Sequence, residues 1–194
     1  AMICLTVGGS SPVPANPCAS LSPRVTSRVT RSINCLKRVL LQAWLTTASV
    51  STRGKQVMGA DDAPVTVVEF ADYQCPYCLR FTKTTFPHLK RKYIDTGKVR
   101  WIVRDLPLGF HPNANKAAQA AHCAGEQGKF WEMQALLFSD QSLLSVEQYK
   151  TYAAELALDT AAFDECLDSG KYEEEVYADL IEGSNYGVSG TPAF

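Results

Sequence analysis

The chain has no apolar run approaching the roughly 20 residues that a membrane-crossing helix requires. The apolar stretch of its first segment, Val39-Leu40-Leu41-Gln42-Ala43-Trp44-Leu45, is far shorter, so no membrane span is expected. Acidic residues are missing from residues 1–60, which carry seven Lys or Arg, whereas residues 61–194 carry twelve basic and twenty acidic side chains. The second segment is therefore acidic, which argues against nucleic acid as a partner. Histidine is scarce, with three in all, and the usual second pair of zinc ligands at short spacing is absent. No internal repeat is found, and most of residues 1–60 shows neither helical nor strand periodicity.

Charge and composition thus divide the chain in two. Residues 1–56 are expected to be an unstructured leader or a mis-assigned N-terminal extension, rich in Ser, Thr, Pro and Arg. Three origins fit that composition: a degenerate secretory signal, an organellar transit peptide, or sequence added by a misplaced start. Cys4, Cys18 and Cys35 lie in this segment without metal-ligand spacing and are given no role. The remaining residues suffice for one domain with a full apolar core.

What the second segment does have is Cys75-Pro76-Tyr77-Cys78, set where an apolar strand at 65–70 runs into a helix. A thiolate at a helix N-terminus meets unpaired backbone N–H groups and the positive end of the helix dipole. The second cysteine is one turn along the same face. Such a pair serves either disulfide exchange or metal ligation, and the motif by itself does not choose.

The strand at 65–70 is almost continuously apolar and is expected to be central in its sheet. Phe81, Thr85, Leu89 and Tyr93 predict one helix from Cys75 to about residue 95, ended by Gly97. Residues 98–106 read as a second strand, with Val99, Trp101 and Val103 alternating against Arg100 and Arg104. The resulting β-α-β unit predicts a parallel pair with a right-handed crossover. Helices are predicted at 113–126, 130–139, 146–156 and 160–186, the third capped by Ser145 and the last broken near Gly170. About eighty residues of helix, roughly 107–186, must form a packed insertion rather than a connection. Phe130, Trp131 and Phe138 are read as core, and Lys90-Arg91-Lys92 as a solvated helix end.

These blocks together resemble the bacterial DsbA-like branch of the thioredoxin fold. The residues that carry the resemblance are those from Asp62 to Cys78, Phe110-His111-Pro112-Asn113-Ala114, Gly128-Lys129-Phe130-Trp131 and Val188-Ser189-Gly190-Thr191-Pro192-Ala193-Phe194. It covers residues 57–194. The fold it implies is α/β and thioredoxin-like, with a helical insertion and with two further strands and a helix beyond Phe194. It also implies a cis peptide at Thr191-Pro192 beside Cys75, offering backbone to an incoming polypeptide.

On this basis Cys75 is expected to be the partly exposed nucleophile and Cys78 its buried partner, with Pro76, Tyr77, Thr191 and Pro192 meeting the substrate. Glu69 is either a solvated edge carboxylate or, as the resemblance implies, the proton acceptor for Cys78. Cys123 and Cys166, on two helices of the insertion, are either buried free thiols or a structural disulfide, and the disulfide is preferred. His88, His111 and His122 show no charge partner in the sequence. A zinc site built from His122, Cys123, Cys75 and Cys78 is set aside, and neither metal nor cofactor is expected.

The function expected is thiol–disulfide exchange with cysteine-containing polypeptides, as an oxidant in the periplasm or another exported compartment, with organellar import as an alternative. A membrane or soluble redox partner would reoxidise a monomeric protein. The competing readings are a reductase or isomerase on the same site, or a zinc-binding interaction domain. An isomerase usually carries a dimerising module, and residues 1–60 show none.

Overall fold

A computed structural model describes residue 50 and residues 56–194. The expectations for the leader, including Cys4, Cys18 and Cys35, lie outside the described residues. Three strands form the sheet in the order β1-β3-β2, with β1 Val57–Met58, β2 Val65–Ala71 and β3 Val99–Asp105. β1 runs antiparallel to β3 and β2 parallel to it. β3 is the middle strand of the three, and β2, as its apolar run predicts, is bonded on both edges, to β3 and through Phe70 to Ala193. The exposed Val65 opens β2, but Val68 to Ala71 are buried, so the apolar run correctly signals burial while leaving strand order open.

The parallel register pairs Val67 with Trp101, Glu69 with Val103 and Ala71 with Asp105. Alternation puts these six on one face of the sheet and Phe70, Ile102 and Arg104 on the other. Arg104, which the alternation of β3 directs to solvent, is instead 1% exposed, paired with Asp179 at 2.8 Å and with Glu182, its guanidinium 5.9 Å from the Phe70 ring. The acids that hold it come from the last helix, out of reach of any strand-local pattern.

The crossover from β2 to β3 starts as α1, Pro76–Thr84, and does not continue as one helix. Pro87 has no N–H to give the turn before it, so α1 stops and a short α2, Phe86–Leu89, follows. Residues Lys90–Ile94 then form a π turn, closed by Asp95 N–H to Lys90 O and Lys98 N–H to Tyr93 O, both 2.9 Å.

The insertion comprises α3 Ala114–Glu126, α4 Phe130–Leu137, α5 Val146–Glu155, α6 Thr160–Asp168 and α7 Glu173–Asn185. A 3₁₀ turn at Gln141–Leu143, which no sequence pattern signals, joins α4 to α5. Ser145 accepts the Gln148 N–H as its cap, and Gly170 adopts φ 68° between α6 and α7. α3 is the hub: Ala117, Ala118, Ala120, Ala121 and Ala124 are all buried, and their small side chains let α4, α5, α6 and α7 approach it. Cys123 on α3 and Cys166 on α6 are joined by a disulfide with Cα atoms 5.9 Å apart. On the other face of the sheet α7 comes close because residue 183 is glycine. A Cβ there would lie 2.7 Å from Leu106 and 3.0 Å from Phe70.

Candidate functional site

β2 delivers the chain to the site, and α1 presents it. Cys75 is the N-cap residue of α1, with extended backbone and Pro76 in the first turn, where a missing N–H costs nothing. Its own N–H bonds Asp72 O at 3.1 Å, and its carbonyl accepts Leu79 N–H at 3.1 Å. Cys75 and Cys78 are both free thiols.

In place of the partial exposure expected of it, Cys75 is 3% exposed, and Cys78 is sealed completely. Part of the cover over Cys75 is the 188–194 segment, whose Thr191 carbonyl accepts from Cys75 Sγ at 3.4 Å. The Thr191-Pro192 peptide is cis. Phe70 and Ala193 exchange backbone hydrogen bonds of 2.8 and 3.1 Å, which fastens this segment to β2. Tyr77, by contrast, stands largely in solvent beside the pair.

Burial pushes the Cys78 thiol up, reinforced by the nearby charges of Cys75 and Glu69 and opposed by hydrogen bonds from the Asp72 backbone and Thr191. Glu69 is not a solvated edge carboxylate. It is buried on the sheet face that carries Trp101, whose indole N–H donates to Oε2 at 3.1 Å. Burial pushes its carboxyl up to about 7, against the lowering effect of that indole bond. Tyr73 lies in the same interior, its ring 5.0 Å from Phe138, and burial together with the Asp105 and Glu69 carboxylates pushes its hydroxyl up.

Two of the three histidines prove to have carboxylate partners. His111 Nδ1 lies 2.8 Å from Asp72 Oδ2, and His122 Nε2 lies 2.6 Å from Asp105 Oδ2. Burial alone would lower His122, but the charge and hydrogen bond of Asp105 raise it overall. His88 contacts Arg91 on the helix surface. With Cys123 bonded to Cys166 and His122 turned to Asp105, neither is directed at Cys75 and Cys78 as the zinc alternative requires.

Sequence reasoning missed Asp72 and Gln141. Asp72 is buried; Oδ1 accepts Gln74 N–H at 2.7 Å, and Oδ2 accepts Leu108 N–H at 2.8 Å as well as facing His111. It thereby fixes the turn into Cys75 and ties it to the loop after β3. A signal for it exists, since an Asp two residues before a turn amide is the pattern of an Asx-turn. Gln141, more than sixty residues away, reaches the backbone of the cysteine loop and leaves no comparable local signal.

A thiol pair at the head of a helix that follows a parallel strand, faced by a cis-proline loop, is the site of a thioredoxin-fold protein. The family model described as Thioredoxin matches residues 51–194. The Na(+)/H(+) antiporter NhaA 3 of Salinispora tropica is 41% identical over 139 residues, which make up 71% of this chain but 21% of that protein. The chain thus spans about a fifth of the length of that relative. The probable disulfide bond formation protein D of Bacillus anthracis is 32% identical over 148 residues, covering 72% of this chain and 68% of the relative. Among solved structures, oxidised BdbD from Bacillus subtilis superposes with a TM-score of 0.67 at 28% identity, covering 73% of this chain and 80% of that one. The chain belongs to the thioredoxin family, and within it is similar to DsbA-like proteins.

Proposed function

We propose that the protein oxidises dithiols in polypeptide substrates, using Cys75 as the sulfur that exchanges and Cys78 as the resolving thiol. The observation that carries this reading is the pairing of a helix-capping Cys75, in contact with Thr191 O, with a Cys78 that has no access to solvent. In the disulfide form, a substrate thiolate attacks Cys75 Sγ, the Cys75–Cys78 bond breaks, and Cys78 leaves and takes a proton. The second substrate thiolate then attacks the substrate sulfur of the mixed disulfide and expels Cys75. The substrate loses two electrons to its new disulfide, and the protein holds them as a dithiol.

Because Cys78 is sealed, the proton it gains or loses must pass through a buried group. Glu69, poised near neutrality by its burial, is suited to give and take it. Tyr77, standing in solvent, and the Thr191-Pro192 backbone are the surfaces offered to the substrate chain. An oxidising, exported compartment is supported by the Cys123–Cys166 disulfide, since such bonds persist where glutathione does not keep thiols reduced. A membrane or soluble partner would return the pair to the disulfide.

Equilibration of the Cys75–Cys78 pair with glutathione tests the direction of electron flow. An oxidant equilibrates near the roughly −120 mV of strong disulfide donors, and a value near −270 mV would reassign the protein as a reductase. Faster oxidation of a reduced, unfolded substrate than reduction of insulin is the matching kinetic result.

A further inference from the structure

The 3₁₀ turn at Gln141–Leu143 is held rigidly from its own side. Asp140 Oδ1 accepts both the Ser142 N–H, at 2.9 Å, and the Ser142 hydroxyl, at 2.6 Å. From this turn the Gln141 amide reaches across to the cysteine loop. Its Nε2 donates to Tyr73 O at 2.7 Å and to Cys75 O at 2.9 Å. Both partners are carbonyls, so the amide must present its NH₂ and not its oxygen, and both hydrogens of that NH₂ are used.

Two further contacts join the same short stretch to the site. The Phe138 ring packs on Tyr73, and Lys83 of α1 donates to Ser139 O at 3.0 Å. Residues 138–141 therefore grip the loop before Cys75, Cys75 itself and the helix after it. The Cys75 carbonyl is also the first acceptor of α1, through Leu79 N–H. Fixing its direction fixes the tilt of the first peptide groups of the helix relative to Sγ. The amide adds electrostatics to geometry, because its positive end points at the residue that carries the sulfur.

We propose that Gln141 is a positioning residue for Cys75, through which the helical insertion sets the redox equilibrium of the pair. The inference rests on the reading of Cys75–Cys78 as a pair that cycles between dithiol and disulfide. Negative charge on Cys75 belongs to the reduced form, so a donor dipole aimed at that residue favours the reduced form and makes the disulfide more oxidising. Removing the dipole shifts the balance toward the disulfide.

The test compares wild type with Gln141→Met and Gln141→Glu in glutathione buffers, and follows thermal unfolding of the oxidised and reduced forms separately. Gln141→Met is expected to move the equilibrium toward the disulfide about fivefold, the effect of one hydrogen-bonded dipole. Gln141→Glu should move it further, since its carboxylate adds negative charge. In unfolding, the reduced form should lose more stability than the oxidised one. Equal destabilisation of both forms with an unchanged equilibrium would mean that Gln141 only braces the fold, and would overturn the proposal. If Gln141→Met alone folds poorly, Gln141→Asn, which keeps the amide but shortens its reach, gives the same comparison. A wild type that does not equilibrate with glutathione at all would defeat the parent reading instead, so the two failures are distinct.

Discussion

Two pairs of cysteines lie in the described domain, and their surroundings have almost nothing in common. Cys75 and Cys78 sit three residues apart at the N-terminus of a helix, among a buried carboxyl, a backbone carbonyl and an exposed tyrosine. Cys123 and Cys166 sit 43 residues apart on two helices of the insertion, and Cys123 is surrounded along α3 by buried alanines. The first pair has groups around it that respond to charge and to proton movement. The second is packed among the small side chains of α3, and the one buried ionisable neighbour of Cys123, His122, is turned to Asp105. The first pair is placed for exchange, whereas the second closes a loop of 43 residues.

The largest effect expected from probing this contrast is complete loss of exchange in Cys75→Ser, whereas Cys78→Ser given a disulfide-bonded polypeptide should attack that disulfide through Cys75 and hold the mixed disulfide, visible on a non-reducing gel. A Cys78→Ser variant that turned over normally would erase the distinction between the two sulfurs of the first pair. Replacing Cys123 and Cys166 by Ala should leave the glutathione equilibrium of the first pair within about twofold while lowering stability to urea. The loss expected for opening a loop of 43 residues is about 4 kcal/mol on chain-entropy grounds.

Glu69→Gln sharpens the comparison through pH. The Glu69 carboxyl is raised in the folded protein to about 7, so the folded state holds its proton where the unfolded chain has released it. Its favourable contribution is complete below the ordinary glutamate range and falls away as pH rises toward 7, a change of about 3 kcal/mol. The Gln variant should show a flatter profile of urea stability over that window, together with slower disulfide exchange. An unchanged exchange rate would remove Glu69 from the proton path while leaving its pH signature intact. Gly183→Ala is expected to cost about 1–3 kcal/mol by forcing α7 away from Leu106 and Phe70, read as a lower midpoint in urea.

Features coded by neighbours along the chain are legible in the sequence alone. The strand into Cys75, the cap at Ser145, the break at Gly170 and the β-α-β unit each follow from a few adjacent residues. Features that depend on a distant partner are not. Arg104 looks like an outward residue until α7 brings Asp179 to it, and the choice between a solvated and a buried Glu69 stays open until Trp101 closes over it. Gln141 is an ordinary loop residue until its amide meets Cys75. Pro87 is different, since its missing N–H is plain in the sequence, but the regular spacing of apolar residues across it outweighs the sign.

The backbone bridge between Phe70 and Ala193 has a mechanical consequence for the site. From that bridge the chain runs five residues forward to Cys75 and two residues back to Thr191, whose carbonyl meets the sulfur. Sulfur and carbonyl are therefore the two jaws of a caliper hinged at a single point, with short arms. The distance between them is set by seven residues of backbone around that hinge, which is why a sulfur on a helix and a carbonyl 116 residues further along the chain meet at 3.4 Å.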